Sequence, residues 1–176
     1  MIKDIITYLN LKLESVGYFN TIHCLAEQVK KGDKIYPAIY NGANEYQDIA
    51  LNDNLGSIAY WRKSSNVSIS EQENKTTSNG VEYLTSFTLK LVCFVQKENG
   101  STNDQYFADN LATVIISNLT TNSSALKQAL KAKKVSVIAE QYITDGRVVS
   151  AGEFENVAFE PNYTHSLFSI DFKISI

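Results

Sequence analysis

Between Val81 and Gln96 the chain alternates almost without a break, and few folds tolerate such a run. Val81, Tyr83, Phe87, Leu89, Leu91, Cys93 and Val95 fall on one side, and Leu84, Thr88, Lys90, Val92, Phe94 and Gln96 on the other. A period of two with β-branched, aromatic and aliphatic residues predicts a long strand. Lys97-Glu98-Asn99-Gly100-Ser101 ends it with residues that tolerate turn backbone. From about Thr102 to Asp104 a helix begins, carrying Phe107, Leu111, Val114 and Ile115 at spacings of three and four. A strand of this length must sit inside a sheet, with the rest of the chain arranged around it.

The flanking segments supply partners. Ile2, Ile5, Ile6, Leu9, Leu13 and Val16 make one apolar stripe, so residues 2–16 read as an amphipathic helix stopped by Gly17. Thr21–Ala26 reads as a short strand, with a helical turn at 25–30 as the alternative. Lys30-Lys31-Gly32-Asp33 reads as a hairpin turn and 34–40 as a strand. Pro37 lacks an N–H, so that strand is expected at an edge or interrupted. Asn41–Leu55 reads as a connection. A strand at 57–70, broken or bulged at Ser64–Asn66, is expected to form a long hairpin with 81–96. Between them Glu71–Gly80 has no aliphatic side chain and contains Asn79-Gly80, which predicts a loop. A second short helix is expected over Ala125–Lys133, and a strand from Val135 to about Ile143, with Arg147–Ser150 pairing back after the Asp145-Gly146 turn. Phe154–Pro161 reads as irregular. Phe168, Ile170, Phe172, Ile174 and Ile176 alternate with Ser169, Asp171, Lys173 and Ser175, a closing strand. The fold class is α+β: a mainly antiparallel sheet with a long β-hairpin, packed by an N-terminal helix and a central helix pair, in a single domain spanning 1–176.

Composition narrows the function classes. The 176 residues are 44% hydrophobic and 20% charged, a globular mixture, and 2 prolines and 8 glycines leave no linker. A net charge of −3 disfavours a protein whose main work is neutralising phosphates. Lys127, Lys131, Lys133 and Lys134 cluster, and the plainer reading is a solvated helix end with cations matched to its dipole. The N-terminus lacks the basic and unbroken apolar regions of a signal peptide, and nothing approaches 18 apolar residues, so a reducing cytoplasm is expected. Cys24 and Cys93 lie among apolar neighbours and read as small hydrophobes, a disulfide between them being left open.

Catalytic patterns do not emerge. His23, His165, Cys24 and Cys93 lack zinc-ligand spacing, and no third group orients a Cys–His pair. There is no Gly-x-Ser-x-Gly elbow and no glycine-rich phosphate loop. The acidic pairs Glu153/Glu155 and Asp48/Asp53 read as solvated loop residues. Tyr36, Tyr40, Tyr46, Tyr60 and Trp61 concentrate in the first half and could stack on a sugar or a base, although filling a sheet face is the commoner role. The expectation is no enzyme, no metal and no cofactor.

The layout resembles a known family. The N-terminal helix, the Tyr36-Pro37-Ala38-Ile39 run, the long hairpin with a polar tip, the helix after Leu89–Val95 and the closing strand Leu167–Ile174 look like phage tail terminator (tail completion) proteins and related head–tail neck-ring proteins. That resemblance implies a non-enzymatic structural virion protein, assembled in the bacterial host cytoplasm into a homo-oligomeric ring, often sixfold. Its partners would be further copies of itself and a portal, connector or tail tube. No membrane is involved, and genomic DNA passes only as cargo through the lumen. The chain is long for a minimal terminator, so a neck or connector ring stands beside it. The hairpin at about 57–96 would be an intersubunit arm tipped by Glu71, Glu73, Asn74, Lys75, Asn79 and Gly80. Two other classes stay open: a small ligand-binding module using the Tyr/Trp-rich half, and a small hydrolase with a scattered site.

Overall fold

A computed structural model describes residues 1–40, 42–43, 45–49, 56–77, 80–96, 107–120, 124–132, 134–143 and 165–176. Helix α1 (Ile2–Glu14) opens the chain and is followed by β1 (Thr21–Leu25), β2 (Glu27–Lys31), β3 (Lys34–Tyr40), β4 (Tyr46–Asp48), β5 (Ile58–Lys63), β6 (Ser68–Thr77) and β7 (Gly80–Gln96). Then come α2 (Phe107–Leu119), α3 (Ser124–Leu130), β8 (Ser136–Ile143) and β9 (His165–Ser175). The main sheet has the order β1-β5-β7-β9-β8, and β6 pairs with β7. Only β1 and β5 run parallel; every other pair in this sheet is antiparallel. The expected α+β class, long hairpin, N-terminal helix and helix pair are all present.

The pleat of β7 and β9 divides the core in two. Leu89, Leu91 and Cys93 point with Phe168, Ile170 and Phe172 toward the helices, where Ile5, Leu9 and Leu13 of α1, Leu111 and Ile115 of α2 and Leu126 of α3 cover them. Phe168, Ile170 and Phe172 of the closing strand are all fully buried. The opposite face carries Ile58, Tyr60, Val92, Phe94 and Leu167, packed with Ala26 and Ile49. Ala26 and Ile49 flank the second sheet, β2-β3-β4, so this small sheet lies over part of the face the helices leave open.

Two sequence expectations change here. Of the two alternatives for Pro37, an edge strand is not met, since β3 is the middle strand of the small sheet with Gln28 opposite Pro37 on β2, whereas an interruption is, since the β3–β4 register ends before Pro37. Its missing donor is tolerated because the β3–β4 register stops at Ala38↔Asp48, and only the Pro37 carbonyl is used on that side, accepting from Ile49 N at 2.8 Å. The connection at 41–55 holds a short strand, β4, too brief to show a period. Residues 145–150 and 154–161, where a returning strand and an irregular segment are expected, lie outside the described residues, as do 102–106 ahead of α2.

Polar groups fasten the element ends. Gly17 takes φ +72° after α1, as the sequence leads one to expect. Lys131 stands in the same left-handed region at φ 52° after α3, where Ala132 N donates to Lys127 O and Lys131 N to Gln128 O. Buried Ser57 joins three strands: its carbonyl accepts from Asn20 N and Thr21 N, its N–H donates to Asn20 Oδ1 at 2.8 Å, and its Oγ accepts from Gln96 N at 3.0 Å. A side chain at Gly56, with φ +68°, would overlap that Asn20 amide.

Candidate interaction surface

The 17 residues of β7, about 56 Å long at about 3.3 Å per residue, live in two environments. From Ser86 to Gln96 β9 lies on one edge, and from Leu89 to Phe94 β5 lies on the other. The last rung to the β9 side is Thr85 with Ile176, which exchange both backbone bonds at 2.9 Å. Beyond it, Gly80–Leu84 has β6 on one edge and, among the described residues, no strand on the other. Over these five residues, about 16 Å of strand, β7 forms a two-stranded ribbon with β6 among the described residues.

β5 and β6 follow one another along the same edge of β7, but not in one register. Lys63 lies opposite Leu89, whereas Ser68 lies opposite Ser86, so two extra residues are accommodated between them. The expected break at Ser64–Asn66 is real, and serines seal it. Ser64 N donates to Thr88 O at 3.1 Å, and Ser65 Oγ accepts from Thr88 N at 2.7 Å, replacing the ladder bonds the break removes. Ser68 and Ser86 hydroxyls meet at 2.7 Å on the next rung. Ile69 then stands 69% exposed at the ribbon's base, more exposed than any other large hydrophobic among the described residues.

The segment expected as a loop is mostly strand. Glu71, Glu73, Asn74 and Lys75 belong to β6, and Gly80 begins β7 opposite Thr77. A second irregularity falls between Glu71 and Thr76. Asn79 lies outside the described residues. A polar strand is stable here because its backbone is satisfied by a long neighbour already held in the core, which composition alone does not reveal.

On the sheet face away from the helices, Arg62, Lys90 and Asp171 form one cross-strand row over β5, β7 and β9. Lys90 Nζ stands 3.8 Å from Asp171 Oδ1, with side chains only 13% and 16% exposed, so this pair is far less screened than a surface one. Lys173 and Glu140 form a second, exposed pair at 3.6 Å.

The aromatic residues do not assemble into one platform. Tyr60 and Trp61 are both fully buried, on opposite faces of β5. Trp61 Nε1 donates to Asn10 Oδ1 at 2.7 Å, and its ring meets Phe172 at 6.0 Å. Only Tyr40 and Tyr46, among the described residues of that group, remain exposed together, ring centroids 5.4 Å apart. Tyr46 donates to Glu27, which raises its phenol pKa, and Asp48 binds Lys31 at 2.7 Å.

The nucleophile candidates are dispersed. Cys93 is buried, and desolvation pushes its thiol well above the ordinary range. Cys24 is exposed rather than packed as a small hydrophobe; the two thiols are free and not bonded to each other. Burial lowers the His23 pKa. Among the described residues no three His, Cys, Asp or Glu side chains converge. Lys127 is half-buried, while Lys131 and Lys134 are exposed; Lys133, Asp53, Glu153 and Glu155 lie outside the described residues. No described helix is long and apolar enough to cross a membrane. Sequence reasoning anticipated the turn at 30–33 and the strand after it, but missed the serine seal and β4, the third strand of the small sheet; adjacent serines inside an otherwise alternating segment are the signal that could have found the seal. No protein-family model matches this chain, and no curated protein matches it.

Proposed function

We propose that this chain is a non-enzymatic structural subunit of a bacteriophage virion, forming a homo-oligomeric ring at the head–tail junction as a tail terminator or as a neck or connector ring. One observation carries the reading: β6 and β7 form the long hairpin that the resemblance leads one to expect of an intersubunit arm, paired from Ser68↔Ser86 to Thr77↔Gly80. A two-stranded ribbon by itself is marginal in water, so a neighbouring subunit is the economical partner. The architectural resemblance to tail terminator and neck-ring proteins supplies the location. The buried Tyr60 and Trp61 weaken the ligand-binding alternative, since they face opposite sides of β5.

The register sets the decisive variant. Ser70 lies opposite Leu84, so replacing residues 71–83 with Asn-Gly closes a two-residue turn on that pair and removes the ribbon. The parent should sediment as one closed species, a multiple of the 19.6 kDa chain, and be found in purified particles. The shortened protein should keep its circular dichroism spectrum and lose both properties. A parent that stays monomeric, or a shortened protein that assembles as well as the parent, overturns the proposal.

A further inference from the structure

We infer that the outward face of the small sheet β2-β3-β4 is a docking surface for a partner protein, which it holds by an arginine side chain laid against Tyr40, Tyr46 and Glu27. The inference stands apart from the ring reading above, since it concerns a different sheet and a different contact.

Register places the side chains. Tyr40 lies opposite Tyr46, and Ala38 lies opposite Glu27 on one side and Asp48 on the other, so these residues project to one face. Ile39 projects to the other face, where it packs on the cluster around Tyr60. The tyrosine face therefore looks outward. Two bonds cross it: Tyr46 Oη donates to Glu27 Oε2 at 2.8 Å, and Lys31 Nζ donates to Asp48 Oδ2 at 2.7 Å. Both span β3, and Ala38 on that strand is fully buried. The bonds hold a ring and two carboxylates in place before any partner arrives, which lowers the ordering cost of binding.

The chemistry of this face selects a planar cation. Tyr40 and Tyr46 are 48% and 38% exposed, with ring centroids 5.4 Å apart and planes tilted by 55°. Tyr46 spends its only side-chain donor on Glu27, and that bond leaves its ring richer in electrons. Asp48 is matched by Lys31, whereas Glu27 meets a neutral hydroxyl, so among the described residues no cation is bonded to it. Lys34, the other lysine of this face, stands opposite Lys31 at the far end, about 13 Å along the strands from Glu27. Electron-rich rings beside an exposed carboxylate suit a guanidinium, which stacks and donates two parallel hydrogen bonds, better than the point charge of an ammonium. The face is also open. A free small ligand would keep much of its surface in water there, whereas small-molecule sites are concave. An arginine carried by a protein has its contact sealed by the residues around it, and Tyr and Arg are the types enriched at such contacts.

The test titrates the isotope-labelled full chain, followed by NMR, with the peptide acetyl-Gly-Arg-Gly-amide and with the same peptide carrying citrulline or lysine in place of arginine. Choline and glucose are titrated beside them. The arginine peptide should shift the amides of Glu27, Tyr40 and Tyr46 and bind at least about fivefold more tightly than the citrulline peptide, which keeps the shape and loses the charge. The lysine peptide should fall between the two. Glu27→Gln and Tyr40→Leu, both at exposed positions, should each weaken arginine binding by about fivefold while leaving the circular dichroism spectrum unchanged. The peptide series on the parent needs no variant and stands if either one fails to fold. No shift at Glu27, Tyr40 and Tyr46, equal binding of the citrulline or lysine peptide, or unchanged binding to a folded Glu27→Gln protein overturns the inference. Choline or glucose binding more tightly than the arginine peptide would mark a small-ligand site and overturn the protein partner. Ring assembly is read separately by sedimentation, so failure of either proposal leaves the other standing.

Discussion

The two halves of β7 share one strand, one hairpin partner line and one backbone geometry, yet they rest on different supports. Ser86–Gln96 is held between strands, with Leu89, Leu91 and Cys93 under the helices and Val92 and Phe94 in the second cluster. Gly80–Leu84 is held by β6 alone among the described strands. The contrast teaches that strand length here is not core length. The inner half is stabilised by burial and fixes the fold, while the outer half is stabilised by backbone pairing that depends on the inner half for its start.

Amide exchange should show the largest difference. In the monomeric protein, Leu91 and Cys93 amides bond to β9 and should exchange only through global unfolding, whereas Val81 and Tyr83 amides face no described partner. The ratio should be on the order of 10⁴-fold or more, measured by mass spectrometry or NMR. Comparable rates at the two ends would erase the distinction.

Phe172→Ala comes next. The ring is fully buried against Trp61, so the substitution should cost about 3–5 kcal/mol in denaturant unfolding. An unchanged midpoint would remove β9 from the core.

At the joint, Ser65→Ala leaves the Thr88 N–H without its 2.7 Å acceptor and should cost about 1 kcal/mol. A Ser65→Thr variant that restores stability would assign the loss to the hydroxyl; if both variants melt like the parent, the seal contributes nothing.

Removal of the ribbon, by the Asn-Gly replacement of 71–83, should have the smallest effect on the monomer, within about 0.5 kcal/mol of the parent. A larger drop in melting temperature would show that the ribbon supports the inner half.

Much of this architecture is legible in the residues. The alternation over 81–96 and 167–176 named the buried faces of β7 and β9, and the stripe Ile5, Leu9, Leu13 named the buried face of α1, because burial on one side imposes a period that a single chain displays. The break at Ser64–Asn66 showed itself as lost alternation. The tertiary structure alone decided the rest. Periodicity says which face is covered but not by what, so the turn at 30–33 and the strand after it were legible, but not that their sheet lies over Tyr60 and Phe94. Pro37 could sit in a middle strand only because β4 stops short of its missing donor. Glu71–Thr77 became strand because β7 was already in place to pair with it, a condition that its own polar side chains do not record. The candidate surface was legible only as a hairpin. Which backbone groups of β7 face β9 and which face β5 and β6 follows from the alternation of hydrogen bonds across these strands, a relation between segments distant in sequence that side-chain chemistry does not encode.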